Sequence, residues 1–168
     1  MSRSMLTPAI AAALILTGLG AHGCSKNKAE KNDAVTVRDV PAPAREAISR
    51  EAGGATIEEY KRIVEDGQTL FIGEFERNGR EVEIEVYPDG KVCCVETEMT
   101  LADLPAPVRA TVEREIGSGK LGEIEEVRSV TKGRTYYAVE ADVDGGVLEL
   151  EVGADGSVIK KELVRKKV

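Results

Sequence analysis

Three sets of side chains in this sequence have types and spacings that could do chemistry. The first is a run of alternating carboxylates, Glu81, Glu83 and Glu85, with a shorter version at Glu149 and Glu151. On an extended strand, residues two apart share a face, so each run lays its carboxylates in a row. Such a row repels itself unless cations or a basic partner lie opposite. It suits the binding of a basic protein surface or a divalent cation; the plainer reading is a solvated face kept soluble by charge. The second set is the adjacent pair Cys93 and Cys94, and the third is Cys24, close to the start.

None of these sets reads as an active site. A catalytic acid and base need environments that push their pKa values apart, and a ladder of equivalent glutamates offers both the same one. The sole histidine is His22, and no nucleophile elbow, phosphate-cradling loop or Cys-x-x-Cys pair occurs. Asp142-Val143-Asp144-Gly145 is too short for a calcium loop and reads as a hairpin turn. The expectation is a protein that is not an enzyme and carries no cofactor. The net charge of −7 and an aromatic content of 4% also argue against nucleic acid, which needs positive charge and stacking surfaces.

The elements that must position these residues begin after residue 34. Arg3, an apolar run from Ala9 to Leu19 and small residues at Gly20, Ala21 and Gly23 mark 1–23 as a signal peptide, too short in its apolar stretch to span a bilayer. Two cleavage readings stand: Ala21-His22-Gly23 suits the general signal peptidase, while Gly23-Cys24 resembles a bacterial lipobox, with Ala21 where a Leu is usual. Lipidation of Cys24 is preferred, because residues 24–34 then form a polar tether. The membrane would be reached through that lipid, in the periplasm or at the outer membrane.

The remainder is a duplication. Asp39-Val40-Pro41-Ala42-Pro43-Ala44-Arg45 returns as Asp103-Leu104-Pro105-Ala106-Pro107-Val108-Arg109, and Glu83-Ile84-Glu85-Val86 returns as Glu149-Leu150-Glu151-Val152. The copies span 35–98 and 99–168, with two extra residues in the second around Gly117 to Gly122. Each copy opens with Pro in the first turn of a helix. Ala44, Ala47, Ile48 and Ala52 form its apolar face in copy one, and Val108, Thr111, Val112 and Ile116 in copy two; Gly53 and Gly117 end it. Strands follow, broken at Glu65-Asp66-Gly67, Asn78-Gly79 and Pro88-Asp89-Gly90, and at Lys132-Gly133, Asp144-Gly145 and Asp155-Gly156. The expected fold is α+β, a tandem of units in which one helix packs on a four-stranded antiparallel meander.

In that arrangement Val82, Ile84 and Val86 face the helix, as do Leu148, Leu150 and Val152, leaving the glutamates outward. Glu74 and Glu76, and Glu140 and Asp142, join that outer face. Copy one holds 8 basic and 15 acidic residues and copy two 11 and 13, so copy one should dominate any recruitment of positive charge. Cys93 aligns with Ile159 and Cys94 with Lys160, which places Cys93 inward and Cys94 outward. The pair then reads as a small buried hydrophobe beside an exposed thiol, as one half of an intermolecular disulfide through Cys94, or, lacking histidine partners, less readily as a metal site.

The order of these motifs, from Val40-Pro41 to Glu96 and from Leu104-Pro105 to Leu163, resembles the PepSY-like family, and in particular the branch related to secreted beta-lactamase inhibitor proteins. The resemblance implies non-catalytic work in the cell envelope, inhibiting or assisting a protein such as a peptidase through one concave sheet face. The chain departs from those inhibitors in its few aromatics; Tyr60 and Tyr136 are the candidate anchors beside Glu74, Glu76, Glu81, Glu83, Glu85, Glu149 and Glu151. The alternative is an envelope cation-binding or sensing protein that uses the same carboxylates.

Overall fold

A computed structural model of the chain describes residues 31–165 apart from 66. Its elements run β1 (Lys31–Val35), α1 (Ala42–Ala52), β2 (Glu59–Glu65), β3 (Gln68–Arg77), β4 (Arg80–Val86), β5 (Val92–Glu98), a 3-10 turn (Leu101–Asp103), α2 (Ala106–Ile116), β6 (Lys120–Ser129), β7 (Arg134–Val143), β8 (Gly146–Gly153) and β9 (Val158–Arg165). The signal peptide and Cys24 lie outside the described residues.

Each helix starts at a proline that needs no donor, with φ of −53° at Pro41 and −52° at Pro105. The approach to each is fastened in the same way. Asp39 accepts from the Thr36 amide at 2.9 Å and hydroxyl at 2.7 Å, and Asp103 accepts from the amide and hydroxyl of Thr100. The buried face of α1 is Ala44, Ala47, Ile48 and Ala52, as the periodicity predicts, and that of α2 is Val108, Thr111 and Val112, with Ile116 half-buried. Small residues let α1 lie close on the sheet. A Cβ at Gly73 of β3 would stand 2.3 Å from Cγ2 of Ile48.

The expected tandem of one helix on a four-stranded meander is not what forms. Among the described residues one nine-stranded sheet runs β1 to β9 in chain order, every neighbour antiparallel, so they are mostly β with two helices. Two findings overturn the tandem. β5 pairs with β6 from Cys94↔Ser129 to Glu98↔Glu125, which fuses the two halves edge to edge. β1 adds a ninth strand against β2, and it begins at Lys31, inside the segment read as tether. The physical reason is the same for both. A strand edge leaves backbone donors and acceptors unpaired, and a unit of about 60 residues buries too little surface alone, so each half gains by completing the other's edge.

Both helices lie on one face. α1 covers Phe71, Phe75, Val82, Ile84 and Val86, and α2 covers Ile124, Tyr137, Val139, Leu150 and Val152. Across the junction Arg128 of β6 pairs with Glu51 of α1 at 3.0 Å. Among the described residues the opposite face carries no helix, and it holds the carboxylates.

Candidate functional site

Alternation along β4 turns Val82, Ile84 and Val86 into the core and Glu81, Glu83 and Glu85 to the open face, as expected. The register then aligns residues from other strands with them. Glu59, Glu74, Glu83 and Glu96 stand in one line across β2 to β5, each directly opposite the next. Beside that line, Glu76 opposes Glu81, and Glu98 opposes Glu125. In the second half Glu140, Glu149 and Glu162 repeat the pattern. Like charges directly opposite on a sheet destabilise it, so this face is held together by the core beneath it.

The densest part lies where the halves join. A depression of about 90 Å³ is lined by Glu81, Glu83, Glu96, Glu98, Glu123 and Glu125. Four of these were not singled out from the sequence. Glu96 and Glu98 show the same two-residue alternation as Glu81 to Glu85, and so do Glu123 and Glu125. What could not be read was the β5–β6 pairing that brings them together. An adjoining hollow shares Glu96, Glu123 and Glu125 and continues to Tyr136, Glu149 and Glu151.

Two lysines stand among the acids. The Lys61 ammonium bonds Glu74, and reaches Glu83 at 3.1 Å and Glu59 at 3.9 Å. Burial pulls its pKa down, but the bonds to Glu74 and Glu83 outweigh this and hold it above the ordinary lysine value. Lys160 lies 3.6 Å from Glu149 and 3.2 Å from Glu162. Elsewhere repulsion shows. Partial burial, and then the charges of Glu74 and Glu83, raise the Glu81 carboxyl above the usual range. Burial likewise raises Glu149, against the pull of Lys160.

The face is not uniformly solvated. Glu85, Glu96, Glu125 and Glu151 are buried, and an apolar cluster of Ile63, Leu70, Ile72, Cys93, Cys94, Val127 and Tyr136 adjoins the acidic lines. Lys132 and Arg134 lie over the Tyr136 ring at 5.5 and 5.7 Å. Tyr136 therefore belongs to the open face, below its surface. Tyr60 does not join it: Tyr60 packs with the α1 core on the other side of the sheet.

The cysteines also depart from expectation. Glu85 pairs with Cys94 while Val86 pairs with Val92, so Cys93 is an extra residue in a β-bulge. The bulge interrupts the alternation and puts both side chains in the open-face cluster. Cys94 is fully buried and is not an exposed thiol poised for an intermolecular bridge. Its Sγ lies 3.1 Å from Glu85 Oε2 and 3.4 Å from Glu96 Oε1, and Cys93 Sγ lies 3.6 Å from the Tyr87 hydroxyl. Among the described residues two groups have ligand atoms close enough to share a metal ion, within 4.8 Å of one another: Glu74, Glu81 and Glu83, and Glu85, Cys93 and Cys94. In the first, the Lys61 ammonium already bonds two of the three carboxylates.

No family model matches the chain, and no curated protein matches it. Several solved structures share its fold. A protein of Bacteroides eggerthii, provisionally described as periplasmic, superimposes with a TM-score of 0.64 at 16% identity over 75% of this chain and 90% of its own. A DUF2874 family protein from Bacteroides ovatus gives 0.62 at 15% identity, covering 74% and 89%. A BLIP-like protein from Bacteroides fragilis gives 0.61 at 17% identity, covering 76% and 89%. At these identities the likeness shows the fold alone. It supports a BLIP-like fold, while the PepSY-like resemblance continues to rest on the sequence motifs.

Proposed function

We propose that the protein is an exported, non-catalytic binding module that takes a basic protein surface onto its open sheet face, and so restrains or assists an envelope protein. The observation that carries this reading is the depression of six glutamates across β4, β5 and β6. The sheet tolerates directly opposed carboxylates there, and a lysine- or arginine-bearing surface would relieve them. Complementary charge of this kind speeds encounter and selects partners. Periplasmic and BLIP-like descriptions among proteins of the same fold support an exported binder, and among the described residues no helix is long and apolar enough to cross a membrane. Attachment through a lipid on Cys24 would hold the module at the envelope.

The alternative is that the same carboxylates take a divalent cation such as calcium. Against it, Lys61 already occupies the tightest carboxylate group. Capture from envelope extract with the wild type and with Glu83→Gln/Glu96→Gln/Glu98→Gln decides between them. The proposal expects a partner whose association slows steeply with salt and which the triple variant no longer retains. Equal capture by both proteins overturns it. A calcium-specific rise in melting temperature, abolished in the triple variant, would assign the face to the cation.

A further inference from the structure

We infer that Cys93, Cys94 and Glu85 form a binding site for one thiophilic divalent cation of the zinc class, beside the acidic depression. The β5 bulge supplies the geometry. Neighbouring residues of a regular strand point to opposite faces, but here both thiols lie on one side, and their sulfurs and a Glu85 oxygen fall within 4.8 Å of one another. Two sulfurs on a tetrahedral zinc ion stand about 3.7 Å apart, given Zn–S bonds of about 2.3 Å. Glu96, 3.4 Å from the Cys94 sulfur, stands beside the fourth position.

The fold does not require thiols here. β9 makes the same bulge, with Glu151 paired to Lys160 and Val152 to Val158, and it places Ile159 and Lys160 where β5 has the two cysteines. In that half a lysine stands opposite the buried Glu151. In the first half the matching position opposite buried Glu85 is Cys94. The charge balance suits a buried site. Two S–H bonds break, two S–metal bonds form and two protons leave, so a divalent ion enters without changing the net charge or the oxidation state. Two thiolates with a carboxylate favour zinc over calcium or magnesium. The competing chemistry, a disulfide between the neighbours, is poorly served: a trans peptide holds their Cα atoms about 3.8 Å apart, below the usual disulfide range of about 4.4–6.8 Å.

The test is a titration of the purified reduced protein with cobalt(II) followed by zinc, in a Cys24→Ser background so that two thiols remain. The expected result is one equivalent of cobalt with a sulfur-to-metal charge-transfer band, displacement by one equivalent of zinc, and release of two protons per ion. Cys93→Ser and Cys94→Ser should each abolish the band, and Glu85→Gln, nearly isosteric, should weaken binding by more than about tenfold while leaving the metal-free circular dichroism unchanged. No band at stoichiometric cobalt, or a band undiminished in Cys93→Ser, overturns the assignment. A mass two hydrogens short in protein isolated from the envelope, showing a Cys93–Cys94 disulfide, overturns it as well.

Discussion

Changing Glu98 to Gln should stabilise the protein. Glu98 is exposed at the end of β5 and stands directly opposite Glu125, and its charge also helps raise the Glu81 carboxyl. Two carboxylates about 6 Å apart repel by about 0.7 kcal/mol at the dielectric of water, within the range of about 0.2–1 kcal/mol for opposed pairs on a sheet. Two such neighbours make the expected gain about 1 kcal/mol, which for a domain of this size raises the melting temperature by about 3–5 °C at low ionic strength. The assay is thermal unfolding of wild type and Glu98→Gln in about 20 mM and about 1 M salt, where the Debye length shrinks to about 3 Å and most of the gain should vanish. Glu81 should also titrate at lower pH in the variant. A destabilised Glu98→Gln protein, or a gain equal at both salt concentrations, would refute the view that this face is electrostatically strained.

Other outcomes follow from the same structure. Glu81 and Glu149 have folded pKa values raised above the ordinary 4.5, so the stability they confer is present below that value and is lost as pH rises through their folded values. Asp103, held at about 2 by bonds from Thr100 and then Arg80, works the other way and loses its contribution as pH falls from 3.8 through about 2. Melting temperature should therefore rise as pH is lowered through the folded values of Glu81 and Glu149 towards 4.5, and fall again in strong acid. Gly73→Ala should cost about 1–3 kcal/mol in denaturant unfolding, because its methyl would overlap Ile48. Thr111→Val should cost about 0.5–1.5 kcal/mol by removing the 2.8 Å bond that Thr111 donates to the Gly156 carbonyl. Cys24→Ser should move the protein from the membrane fraction to the soluble one on cell fractionation; unchanged partition would sink the lipid anchor.

Much of the local structure was legible because one residue's surroundings decide it. Proline at each helix start, the aliphatic faces of α1 and α2, and the alternation of β4 and β8 all follow from periodicity and turn chemistry. What was not legible depends on pairing between distant strands. The β5–β6 contact that fuses the halves comes from two strand edges, each of which sees the other only after folding. The same contact assembles Glu81, Glu83, Glu96, Glu98, Glu123 and Glu125 into one depression, so the full set of six and the continuity of the sheet depend on one pairing that the sequence leaves open. Cys93 was placed inward by its match to Ile159, and the one-residue bulge that each half carries puts both on the open face instead.

The acidic face differs from what solubility alone would require. A sheet face kept soluble by charge would do better with mixed signs, as Lys160 between Glu149 and Glu162 provides in the second half. The first half instead faces Glu74 with Glu83 and Glu83 with Glu96; Lys61 sits at one end of the line, and the other end reaches the depression of six glutamates. The depression at that acidic end lies over the β5–β6 junction, so its carboxylates come from both halves and exist as a set only when the sheet is whole. A partner that binds there would stabilise the junction as well as relieve the repulsion. Ligand binding should therefore raise the melting temperature by more than neutralisation of any one glutamate does.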